Sequence, residues 1–109
     1  MPYDQSLAQR IRDELKKLPG LQEKLMFGGI GFLVQGNIAC GVHGQELIVR
    51  VGPERYEQAL SQPNTRPFDM TGKPMSGWVT VAPKGHETES DLRNWVRQGV
   101  EFARSLPAK

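Results

Sequence analysis

At 109 residues the chain has the length of one domain, and 38% hydrophobic with 24% charged residues is an ordinary globular balance that excludes a disordered chain. Its net charge of +2 comes from 14 basic and 12 acidic residues interspersed along the sequence, with no basic stripe and so no pointer to a class of partner. The single cysteine, Cys40, rules out an internal disulfide. With a charged, amphipathic N-terminus and no apolar run of membrane-spanning length, the chain reads as one soluble cytoplasmic domain, residues 1–109.

In chain order, Asp4 or Ser6 is placed to cap a first helix, with Gln9 completing a capping box to Ser6. Leu7, Ile11, Leu15 and Leu18 repeat at helical spacing until Pro19-Gly20 ends the run. Arg10, Arg12, Lys16 and Lys17 lie largely off that stripe and form a candidate basic helix face. Gly36-Asn37 and Gly44-Gln45 read as two-residue hairpin turns. In that register Leu33 faces Cys40, Cys40 faces Val49, Val42 faces Leu47 and Ile38 faces Val51, an apolar set that marks the core side. The opposite side holds Phe32, Val34, Ala39, Gly41, His43, Glu46, Ile48 and Arg50. An open sheet face should be polar. Phe32, Val34, Ile48 and Arg50 are therefore a candidate interaction surface, covered by a partner chain or by the segment 62–77.

Gly52-Pro53-Glu54 opens a second helix, with Tyr56, Ala59 and Leu60 as its apolar stripe and Pro63 as its stop. A short strand near Phe68, a Gly/Pro turn and a strand at Trp78 to Val81 follow. Here Arg66, Lys73 and Met75, with Asp69, flank Phe68 and Trp78 as a candidate binding loop, since Trp, Met and Arg are typical interface residues. The alternative keeps Phe68 and Trp78 as core strand residues. Thr88 or Ser90 begins a last helix, whose buried face is Leu92, Trp95, Val96, Gly99, Phe102, Ala103 and Leu106. With the piece near Met26 counted into the first strand, the expected class is α+β. It is a two-layer α/β sandwich in the order α-β(3)-α-β(2)-α, an antiparallel five-stranded sheet with helices mainly on one face.

The chemical motifs fail one by one. Gly29-Ile30-Gly31 lacks the third glycine and the following helix of a dinucleotide fingerprint, and Gly72-Lys73 has Pro67 and Pro74 where a P-loop needs Gly and Ser/Thr. The seven glycines between Met26 and Gly52 thus read as sheet architecture. Cys40 and His43 have half the spacing of a zinc site, but residues three apart on a strand point to opposite faces and only His86 remains as a further imidazole. Glu87, Glu89 and Asp91 suit the positive end of the last helix. No catalytic residue, metal site or cofactor is expected.

Three blocks carry a resemblance: MFGGIGFLVQGNIACGVHGQELIVRVG, RPFDMTGKPMSGWVTV and LRNWVRQGVEFARSLP. Together they resemble the TfoX/Sxy N-terminal domain family over nearly the whole chain, with Met26-Phe27-Gly28-Gly29 and Pro67-Phe68…Gly72-Lys73-Pro74 the most distinctive parts. The resemblance implies a two-layer fold like that of type III secretion chaperones. It also implies an association with competence-gene regulation in bacteria, where full-length regulators act with a cyclic-AMP-responsive transcription factor. Those regulators carry a further C-terminal domain, whereas this chain stops at Lys109.

The expectation is a non-enzymatic protein-binding or regulatory module whose partner is another protein or a second copy of itself, with no membrane contact. The alternatives are a nucleic-acid-linked transcriptional regulator contacting DNA through Arg10, Arg12, Lys16 and Lys17, and a small-ligand binder or enzyme using the 66–77 loop with His43 or His86. The DNA alternative requires binding that falls steeply with salt.

Overall fold

The computed structural model describes residues 3–26, 28–69 and 75–107. Helix α1 (Gln5–Leu15) starts where the Asp4 carboxylate accepts the Leu7 amide at 3.1 Å, so Asp4 is the cap and Ser6 lies inside the helix. Its stripe of Leu7, Ala8, Ile11 and Leu15 is buried. Four strands follow without interruption: β1 (Leu21–Met26), β2 (Gly29–Val34), β3 (Asn37–His43) and β4 (Glu46–Arg50). Next come the short helix α2 (Tyr56–Leu60), β5 (Thr65–Pro67) and β6 (Trp78–Val81). One turn of 3-10 helix at Pro83–Gly85 leads into α3 (Glu89–Ser105), capped by the Thr88 hydroxyl accepting the Asp91 amide at 3.1 Å. The sheet runs β1-β2-β3-β4-β6-β5, every neighbour antiparallel.

The sheet therefore has six strands rather than five. The piece near Met26 does not continue into the first strand of the glycine stretch; it belongs to a strand of its own, reversed by a two-residue connection that includes Gly28 at φ 74°. Residues 53–55 form a turn, so α2 starts later than the proline signal places it.

The hairpin β3–β4 has the expected register, Cys40 opposite Val49 and Val42 opposite Leu47 across Gly44-Gln45. The hairpin β2–β3 does not. Its turn is Gln35-Gly36, with φ of 54° and 85°, the two left-handed residues that a hairpin matched to strand twist requires. Asn37 opens β3 instead of turning, and its buried amide donates to the Pro107 carbonyl at 2.9 Å. A bulge between Phe32 and Leu33 then sets Phe32 opposite Cys40 and Leu33 opposite Ile38, leaving Ala39 as the extra residue.

The core follows from this shift. Ile30, Phe32, Val34, Cys40, Val42, Leu47, Val49, Val79 and Val81 join Leu7, Ile11 and Leu15 of α1 and Leu92, Trp95, Val96, Val100 and Ala103 of α3 in one buried cluster. Helix α3 lies so close to the bulge that a Cβ on Gly99 would stand 2.2 Å from the Ala39 carbonyl oxygen, which explains a glycine inside a helix.

Candidate functional site

Pairing partners share a face, so the face of the sheet away from the core carries the row Lys24, Gly31, Gly41, Ile48, Thr80 and Arg66 across all six strands. This face is closed by the chain itself. Met26, arriving from the β1–β2 connection, lays its thioether over Gly31, where a Cβ would meet the sulfur at 2.5 Å. A Cβ on Gly29 would stand 1.9 Å from the Val42 carbonyl oxygen, so β2 and β3 could not approach as they do. On the other side Phe68 lies beyond β5, 6% exposed, with its ring centroid 5.9 Å from that of Trp78. Ile48 and Thr80 are buried. The glycine-rich stretch is thus a flat floor that admits covering side chains.

These placements correct the candidate interaction surface. Phe32 and Val34 face the core, not the outer side, and are 0% and 1% exposed, because the one-residue bulge at Ala39 sets Phe32 opposite Cys40. Moving the turn alone shifts the pairing by two residues and keeps each side chain on its face. Ile48 does lie on the outer face but is 1% exposed. Arg50 is half-buried, its guanidinium 5.3 Å from the Trp78 ring centre and 5.1 Å from that of Phe102, a cation held between two aromatic faces.

The candidate loop fares differently. Arg66 extends from β5 to Glu46 on β4 and makes a two-pronged ion pair, one arm 2.6 Å long. That hydrogen bonding holds the Glu46 carboxyl below the ordinary carboxylate range, against the opposing push of partial burial, with smaller help from His43 and His86. Met75 is exposed and its amide donates to the Phe68 carbonyl at 3.0 Å, which ties it beside the aromatic pair. Lys73 lies outside the described residues. Between β3, β4, β6 and this loop lies a cavity of about 140 Å³ lined by His43, Glu46, Ile48, Arg66, Phe68 and Thr80, among others. Ligand pockets usually run to roughly 300–1,000 Å³, so this one suits at most a very small molecule. A larger cleft of about 340 Å³ opens where β4 ends, between residues 51–55 and Glu101, Phe102 and Ser105 of α3, and there Arg55 is paired with Glu101 at 3.0 Å.

The four basic residues of the first helix do not share a free face. Arg10 donates to the carbonyls of His86 and Glu87 at 2.9 and 3.2 Å, pinning α1 to the entry of α3. Arg12 reaches the opposite way to Glu23 of β1, 2.8 Å. Lys16 and Lys17, just past the helix end, remain exposed. His86 is buried, with Nε2 3.1 Å from the Gln45 carbonyl and Nδ1 without a partner. Cys40 lies on the core side and burial pushes its thiol pKa up to about 12, so it is held as the unreactive neutral form. Among the described residues no group of three or more His, Cys, Asp or Glu is placed to hold a metal ion, and no helix is long and apolar enough to cross a membrane.

Sequence reasoning missed Glu46 as the partner of Arg66, because the two stand 20 residues apart and only the order β4-β6-β5 brings them together. Against known proteins, residues 13–103 match the family model of the TfoX N-terminal domain. No curated protein and no solved structure matches the chain.

Proposed function

Because the chain belongs to the TfoX N-terminal domain family, which is associated with competence regulation, we propose that it is a non-catalytic regulatory module that binds another protein. The observation that carries this reading is the family match over residues 13–103. The chemistry of the side chains supports it. The one thiol is buried and protonated, and of the two carboxylates that line the His43 cavity, Glu46 and Asp69, Glu46 is committed to Arg66.

The contact lies at the rim of the outer face rather than on its floor. Phe32, Val34 and Ile48 are consumed by the fold, whereas Met75 and the half-free Arg66 stand on the loop beside Phe68 and Trp78. An exposed methionine tied through its backbone to an aromatic pair, with an exposed arginine on the adjoining strand, is a composition that protein interfaces favour. The DNA alternative keeps only Lys16 and Lys17 of its four residues.

Affinity capture from the native cytosol tests the reading. The wild-type chain should retain a DNA-binding regulator, and the double variant Arg66→Glu with Met75→Asp should lose it while its circular dichroism stays unchanged. Retention by both proteins would refute the rim as the contact.

A further inference from the structure

Strand β1 ends the sheet, and its pairing with β2 decides which of its peptide groups face outward. The Gln35 amide donates to the Gly20 carbonyl at 3.1 Å, and Met26 closes the hairpin opposite Gly29. Bonded pairs alternate along an antiparallel ladder, so Gly20, Gln22, Lys24 and Met26 spend their backbone groups on β2. Those of Leu21, Glu23 and Leu25 point off the sheet. The side chains of the same three residues lie on the helix side, since their partners Val34, Phe32 and Ile30 belong to the core. Leu25 is 77% exposed, the most exposed large apolar residue among those described, and Glu23 is held by Arg12 at 2.8 Å.

We propose that β1 pairs antiparallel with β1 of a second copy, with Glu23 on the two-fold axis, so that one sheet runs through both chains. Two identical strands in one sheet can meet about a two-fold axis only with some residue opposite itself, because opposed side chains share a face. Four registers centre on the exposed residues of β1, Gln22 to Leu25. With Gln22 on the axis Leu25 falls opposite Pro19, before the strand begins, and pairs with no strand residue. With Leu25 on the axis the overlap shrinks to the strand's end. With Lys24 on the axis two unpaired ammonium groups oppose each other, and Leu25 meets Glu23. With Glu23 on the axis, Leu25 is covered by Leu21 of the second copy, beside a residue already packed on the core. Gln22 then meets Lys24, and the two Glu23 carboxylates arrive each with its own Arg12, a neutral set of four charges. An edge lysine ordinarily blocks strand addition; here it faces a neutral amide. The outward peptide groups of Leu21, Glu23 and Leu25 supply the bonds, as in other strand-addition contacts. The edge lies across the sheet from Arg66 and Met75, so the outcome is independent of the proposed regulatory contact.

Sedimentation equilibrium and cysteine cross-linking of the full chain test the pairing. The wild type should be a dimer at micromolar concentration, and Leu25→Asp should be a folded monomer. Self-opposed residues in a bonded pair have Cα atoms about 5.5 Å apart, within disulfide range. Oxidation should therefore cross-link Glu23→Cys, but neither Lys24→Cys nor Leu25→Cys. A wild-type monomer across that range, a dimer indifferent to Leu25→Asp, or a cross-link at Lys24→Cys or Leu25→Cys in place of Glu23→Cys would overturn the proposal.

Discussion

Cys40 stands at the centre of the sheet, fully buried between β2 and β4, with its pKa pushed up to about 12. The fold keeps the neutral thiol, while the unfolded chain ionises near about 8.5. Its contribution to stability is therefore complete below that value and is lost as the pH climbs toward 12. At pH 8 a thiol reagent should label the native protein only as fast as the sheet opens, and the urea-unfolded protein within the mixing time; immediate native labelling would place Cys40 at the surface. Glu46 runs the opposite way. Arg66 depresses its pKa, so the stabilisation is present above the unfolded carboxylate pKa and is lost as the pH falls through the native one. Because the Arg66 side chain is 56% exposed, the pair is worth only about 0.2–1 kcal/mol. In an NMR titration Arg66→Gln should return the Glu46 carboxyl toward its ordinary range; an unchanged midpoint would mean the pair is absent in solution.

At the scale of elements, the hairpins show where sequence signals carry and where they stop. The turn at Gly44 was legible because a glycine at φ 59° sits between two alternating apolar runs. The turn at Gln35-Gly36 was not, since a left-handed glutamine (φ 54°) has no signal of its own and the adjacent Gly36-Asn37 is the more familiar pair. That turn shift alone would keep every side chain on its face; the bulge at Ala39 changes the pairing by one more residue, sets Phe32 opposite Cys40, and so puts Phe32 and Val34 in the core. Asparagine tolerates the left-handed region and Asn-Gly is the strongest hairpin pair, so Gln35→Asn should stabilise the protein by about 0.5 kcal/mol. That is roughly 2–4 °C in the thermal midpoint; a lower midpoint would contradict the turn assignment. Strand β1 escaped notice because Glu23 occupies a helix-side position that alternation reserves for an apolar residue. Only Arg12, 11 residues earlier, makes a charge acceptable there.

For the whole molecule, the helices and their buried stripes were legible from periodicity: Leu7, Ile11 and Leu15 of α1 and Leu92, Trp95, Val96 and Gly99 of α3 are all buried. The outer face was legible only in part. Its apolar content signalled a cover, but the cover includes Met26 and Phe68 of the same chain, brought in by a hairpin and a crossover that leave no periodic trace. What stays outside is the rim with Met75 and the edge with Leu25, the two exposed large apolar side chains among the described residues. The regulatory account assigns partner contact to the first. Its most direct test is a photo-cross-linking amino acid placed at Met75 and, separately, at Lys17, irradiated in living cells. The account predicts an adduct with a DNA-binding regulator from position 75 and none from position 17. An adduct from position 17 alone, or none from position 75, would contradict it.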